Sequence, residues 1–220
     1  MDETRWQDVE RERLSLADLL ESLTPRQWES PSLCARWRVR DVAAHVAMSP
    51  VPEPSMSTLV ASLVRARGRL WDAAAEIAID YARRPPAEIS HTLREVANSR
   101  AMPRITNPEN LLMDLLVHGQ DIAVPLGIER PMPTEGAVAG FERVWAMGWP
   151  FHARRRMRGV RLLSTDGPVD VGVRDGLVVQ GRLADLLLLV TGRTDAALGR
   201  LAGEGVETLR SRLAATRGRR

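Results

Sequence analysis

Lysine is missing altogether: all 31 basic residues of this 220-residue chain are arginines. With one tyrosine and one cysteine, almost nothing titrates between neutrality and strong base. The pI of about 10.2 therefore overstates how basic the surface is. The formal net charge at pH 7 is only +3, too small to argue for a nucleic-acid partner. The single cysteine, Cys34, excludes an internal disulfide and suits a reducing compartment. No run approaches the ~20 apolar residues that a membrane span needs, so no membrane association is expected. The longest candidate, Leu186-Leu187-Leu188-Leu189-Val190, reads as a buried element. Met1-Asp2-Glu3-Thr4 has no hydrophobic signal core, which points to the cytoplasm. No phosphate loop, dinucleotide fingerprint, serine-hydrolase elbow or CxxC pair is found.

What is present is helical periodicity, and it is uneven along the chain. Residues 1–150 hold 17 arginines against 21 acids, a balance of −4. Residues 151–220 hold 14 against 7, a balance of +7. That asymmetry predicts two units, a helical bundle over 1–150 and a small α+β domain over 151–220. Helices are expected over 8–23, 38–49, 55–84, from Pro85-Pro86 onward, from Asn107-Pro108-Glu109 to about 124, and over 134–148. Thr24-Pro25-Arg26-Gln27-Trp28 reads as one capped turn. After Gly159 the period changes to that of strands, over 160–164, 169–173 and 177–180, with Asp175-Gly176 as a hairpin turn. Helices return over 182–190, 195–201 and 205–213. The run Arg154-Arg155-Arg156-Met157-Arg158 is expected to be a helix end rather than a nucleic-acid patch.

Two of the four histidines fall on apolar helix stripes. His45 shares a face with Val42, Val46 and Ser49, and His118 lies with Leu111, Leu115 and Ile122. Asp114 and His118 are four apart and project from one side of their helix. A carboxylate beside an apolar stripe needs a partner, because burying it alone costs several kcal/mol. Two readings stay open on the residues alone. One is an Asp114–His118 hydrogen bond with His45 elsewhere; the other is a metal set of His45, Asp114 and His118 with an open position. Asp41 and Asp121 could orient the imidazoles, although ordinary helix charge is the simpler reading of both. His91 is expected to be exposed and His152 to lie near the domain seam. Cys34 has no positioned base evident in the sequence, so a quiet or packed thiol is expected.

Three segments carry a resemblance. Ser32-Leu33-Cys34-Ala35-Arg36-Trp37-Arg38-Val39-Arg40-Asp41-Val42-Ala43-Ala44-His45 and Leu116-Val117-His118-Gly119-Gln120-Asp121-Ile122-Ala123 resemble the two histidine blocks of the mycothiol-dependent maleylpyruvate isomerase family, within the DinB-like bundle superfamily. Ala184-Asp185-Leu186-Leu187-Leu188-Leu189-Val190-Thr191-Gly192-Arg193 resembles that family's short sterol-carrier-like domain. The resemblance implies a DinB-like four-helix bundle followed by that domain. It implies Zn²⁺ or another divalent ion on His45, Asp114 and His118, with mycothiol as the thiol cofactor. The family's carboxylate is a glutamate; here it falls at Asp114, one methylene shorter. The family's active-site arginine falls at Arg193, with Arg182 as second choice. The expected activity is isomerisation or thiol transfer on a small electrophile; the sequence does not fix the oligomeric state, and a homodimer is one candidate because bundles of this kind often pair through a helix face. The alternatives are a non-catalytic metal- or small-molecule-binding protein of the same fold, and a helical interaction module without metal.

Overall fold

A computed structural model describes residues 3–50, 70–102 and 106–217. By compactness the chain divides into Met1–Arg130 and Pro131–Arg220. The fold is mainly helical with one small three-stranded sheet, as the sequence predicts. Among the described residues no helix is long and apolar enough to cross a membrane. The expected helix over 55–84 lies partly outside the described residues, Leu59, Leu63 and Gly68 included.

The first unit contains α1 (Glu3–Ser22), α2 (Pro25–Trp28), α3 (Val39–Met48), α4 (Leu70–Tyr81), α5 (Pro86–Glu95) and α6 (Pro108–Ala123). In α1 the buried residues Trp6, Val9, Arg13, Leu16 and Leu20 follow a three-four spacing, one stripe along the helix. That stripe packs on α5 and α6, and α3 packs on the same two helices, closing a ring of four. α4 packs on the outside of α3. The caps form as the sequence chemistry requires. Thr24 and Gln27 make a reciprocal capping box at α2. Asn107 Oδ1 accepts from the backbone N–H of Asn110 at 2.9 Å, with Pro108 at the first helical position of α6.

One polar group is built into this ring. Arg13 is fully buried, and its Nη1 donates to the carbonyls of Val96, Ala97 and Ser99 at 3.1, 3.2 and 2.7 Å. These carbonyls follow the last turn of α5, where the helix dipole favours a cation. Burial pushes the Arg13 pKa down to about 10, so it stays charged at neutrality.

The second unit contains α7 (Thr134–Ala146), α8 (Ala153–Arg156), β1 (Val160–Ser164), β2 (Asp170–Gly172), β3 (Leu177–Gly181), α9 (Leu183–Val190), α10 (Thr194–Leu198) and α11 (Gly205–Arg217). α7, which the charge pattern groups with the bundle, packs against α9 here. α9 has α7 on one side and strands β1 and β3 on another, which is why Leu186 to Val190 are apolar all round and wholly buried. Arg156 turns inward from the arginine run, donating to Val190 O at the end of α9 and to Thr194 Oγ1.

The sheet corrects one expectation. Asp175-Gly176 does not join a hairpin: the strand order is β2-β1-β3, with β2 antiparallel and β3 parallel to β1. The turn at 173–176 instead carries the chain across the start of β1, with Val173 N–H on Val160 O and Leu177 N–H on Gly159 O. The close passage explains Gly172, whose φ is +108° and whose added Cβ would lie 2.3 Å from Val160 O.

Replacing Arg13 by methionine keeps much of the volume and removes the donor from three carbonyls. Arg13→Met should lose about 2 kcal/mol of unfolding free energy in urea titration. A change below about 0.5 kcal/mol would show that the carbonyls find other partners.

Candidate metal centre

His45 comes from the middle of α3, and Asp114 and His118 from successive turns of α6. The ring packing sets these two helices side by side. The imidazole centroids are 4.9 Å apart, edge to face. Asp114 lies between them, with Oδ2 3.4 Å from His45 Nε2 and Oδ1 3.3 Å from His118 Nε2. His45 and Asp114 are about one-third exposed and His118 is nearly buried, so the trio opens to solvent on one side. The structure thus brings together all three residues singled out by spacing, and the shorter carboxylate of Asp114 reaches both rings.

The other edge of His118 is different. Its Nδ1 is 2.8 Å from Asp121 Oδ2, and Asp121 is completely buried. Cys34 Sγ donates to the same oxygen at 3.0 Å and lies 3.8 Å from His118 Nδ1. Two ligand-type clusters therefore share one imidazole: His45/Asp114/His118 and Cys34/His118/Asp121. Their spacings separate them. An ion with tetrahedral bonds of about 2.0–2.1 Å to nitrogen and oxygen holds its ligand atoms roughly 3.3–3.4 Å apart; on the Nε2 side each imidazole stands at such a distance from an oxygen of Asp114, a different oxygen for each ring. The 2.8 and 3.0 Å separations on the Nδ1 side are those of hydrogen bonds, with the carboxylate oxygen already in the middle. Of the two clusters, His45, Asp114 and His118 form the candidate donor set for a divalent ion.

The loop before α3 completes the surroundings. Leu33 N–H bonds Asp121 O, tying loop to helix, and Trp37 N–H closes back on Cys34 O. The Trp37 ring lies 5.5 Å from the His45 ring and 6.4 Å from the His118 ring, a half-exposed wall beside both. Arg36 in this loop takes a left-handed φ of +68°. Asp41 does not orient His45. It accepts from the backbone N–H of Arg38 at 2.8 Å and from its guanidinium, at the start of α3. Cys34, expected to be a quiet or packed thiol, is half-buried and held against Asp121. It sits 84 residues from His118 in the chain, and no local pattern announces their meeting. His91 is exposed, beside Glu95. Arg182 and Arg193 belong to the second unit, where Arg193 precedes α10 and donates to Thr191 O at 3.0 Å.

Burial disfavours charge on both members of the Asp114–His118 pair, and their mutual attraction overrides it. Desolvation pushes Asp114 up, but His118 and then His45 hold it well below the usual carboxylate range. Desolvation pushes His118 down, but Asp114, Asp121 and Cys34 hold it well above the usual imidazole range. Both shifts favour the charged pair, with His118 as the cation between two carboxylates.

Residues 9–103 match the model of the mycothiol maleylpyruvate isomerase N-terminal domain. The match covers somewhat less than half the chain and includes the first histidine block, and it supports the family resemblance read from the sequence. Two solved structures share the fold over 92% of this chain and 92% of theirs, at 14% identity. One is the mycothiol-dependent maleylpyruvate isomerase, with a TM-score of 0.55, and the other is a histidine-to-alanine mutant of it, at 0.54. No curated protein matches the sequence.

The pair sets a pH dependence for the metal-free protein. His118 is raised on folding, so its contribution is full below about 6.5 and is lost as pH rises through its folded value. Asp114 is lowered, so its contribution is full above about 3.9 and is lost as pH falls through its folded value. Chelator-treated protein should therefore lose stability on going from neutral to mildly alkaline pH, and Asp114→Asn should flatten that loss. An equal slope in the variant would contradict the pairing.

Proposed function

We propose that this chain is a metal-dependent, mycothiol-using enzyme of the maleylpyruvate isomerase kind, acting on a small electrophilic molecule. The observation that carries the reading is the ligand-spaced trio His45, Asp114 and His118, within and just beyond a stretch matched by that family's N-terminal model. The low identity of the solved structures supports the fold alone, so the activity rests on the family match and the donor set together.

His45 and His118 would hold the ion through Nε2, and Asp114 would supply the one anionic ligand. Zinc is the natural occupant of two imidazoles and a carboxylate with an open position. Bound there, it supplies the acidity that makes a coordinated thiol a thiolate near neutrality. Thiol addition to an electrophilic double bond followed by release after rotation gives isomerisation, and retention gives a conjugate. The chain's own part is positional. Asp121 accepts the Nδ1–H of His118 and leaves Nε2 for the ion. Trp37 walls one side of both rings and limits the approach to them. The resemblance implies an active-site arginine, at Arg193 first and Arg182 second, that could bind a substrate carboxylate.

Zinc uptake needs His118 to give up the Nε2 proton that Asp114 favours, so affinity should rise with pH until His118 is neutral in the free chain. Purified without chelator, the protein should carry close to one zinc per chain by elemental analysis. His118→Ala should lose the metal while keeping its far-ultraviolet circular dichroism. Mycothiol-dependent conversion of maleylpyruvate should fall at least ~100-fold in the same variant. Metal without turnover across thiols and electrophiles would favour a binding protein. A chain that holds no metal would favour an interaction module and sink the proposal.

A further inference from the structure

We infer that Cys34 is a positioning residue for the metal centre: its thiol and the Nδ1–H of His118 share Asp121 Oδ2, and this shared acceptor fixes the ring with Nε2 turned toward Asp114 and His45. The inference rests on the metal reading above and assigns a role to a residue outside the ligand set.

The thiol is held rather than mobile. Cys34 N–H bonds Ser32 Oγ at 3.1 Å, Ser32 Oγ donates to Trp37 O at 2.9 Å, and Trp37 N–H returns to Cys34 O at 3.0 Å. Leu33 N–H on Asp121 O, 3.1 Å, fastens this closed loop to the helix that carries His118. The same aspartate is thus gripped by its backbone carbonyl and by its side chain. Asp121 is completely buried, and a buried carboxylate has to be satisfied by fixed donors. Cys34 is one of them. Remove it, and the carboxylate recovers a donor by turning, which carries the His118 ring with it.

The placement also keeps the protein's own sulfur from the ion. Sγ lies on the Nδ1 edge of the imidazole, 3.8 Å from that nitrogen, whereas the ligand-spaced atoms lie on the Nε2 edge. A thiol on the Nε2 edge would take the open position that an incoming thiol needs. Here the chain keeps a cysteine within reach of a ligand but on its far side.

Two readouts on the full chain test this. The first is Zn²⁺ affinity by chelator competition for wild type, Cys34→Ala, Cys34→Val and Cys34→Ser. The second is the ¹⁵N spectrum of the imidazoles in metal-free protein, above the pH at which His118 loses its proton. Wild type should show His118 with its proton on Nδ1. Cys34→Ala and Cys34→Val, which lack a donor, should show both ring nitrogens moving toward averaged shifts, and zinc binding about 10–100-fold weaker. Cys34→Ser restores a donor and should stay within about threefold of wild type in affinity. Wild-type ring shifts and affinity in the folded alanine or valine variant would overturn the role, as would a serine variant no better than alanine. Valine keeps the volume, so it answers if alanine fails to fold. If wild type binds no zinc, the metal proposal fails, and the ring shifts alone decide whether Cys34 positions His118.

Discussion

The two edges of one imidazole organise the first unit. His118 has Asp114 on its Nε2 side at 3.3 Å and Asp121 on its Nδ1 side at 2.8 Å. A nearly buried ring can sit between two carboxylates only if something balances the negative charge. Without a metal the balance is a proton, which is why His118 is held well above the usual imidazole range. With a divalent ion on the Nε2 side, the ion replaces that proton and Asp121 keeps the other. The helix ring, the loop clip through Leu33 and Asp121, and the cap that starts α6 all fix the same ring in the same place.

The aspartate that stands where the resemblance implies a glutamate is one methylene shorter. A shorter carboxylate would fail if the helices stood at the distance a glutamate requires. Asp114 instead reaches both histidines at near-equal distances. The contact between α3 and α6 therefore already suits the aspartate.

Much of this was legible in the sequence, and the limits have physical causes. Asp114 and His118 are an i,i+4 pair, so their meeting follows from helical geometry alone. The Asn107-Pro108 start of α6 and the burial of Leu186 to Val190 follow from capping chemistry and from composition. The approach of His45 to that pair was carried by resemblance, since nothing local joins α3 to α6. The partners of Cys34 were not legible because they lie 84 and 87 residues away, across a loop whose closure has no periodic signal. The Asp175-Gly176 turn was recognised as a turn, but its chemistry does not say which strands it separates. The central place of β1 decides that, by pairing with β3 in parallel. Asp41 read more simply as helix charge than as a histidine partner, and Arg38, three residues before it, claims it.

X-ray absorption at the zinc edge, on protein loaded with one equivalent of Zn²⁺ and no added thiol, tests the central claim most directly. The account predicts nitrogen and oxygen neighbours at about 2.0–2.1 Å, outer-shell scattering from two imidazoles, and no sulfur. A sulfur neighbour near ~2.3 Å would place the ion on the Cys34 edge of His118 and contradict the account.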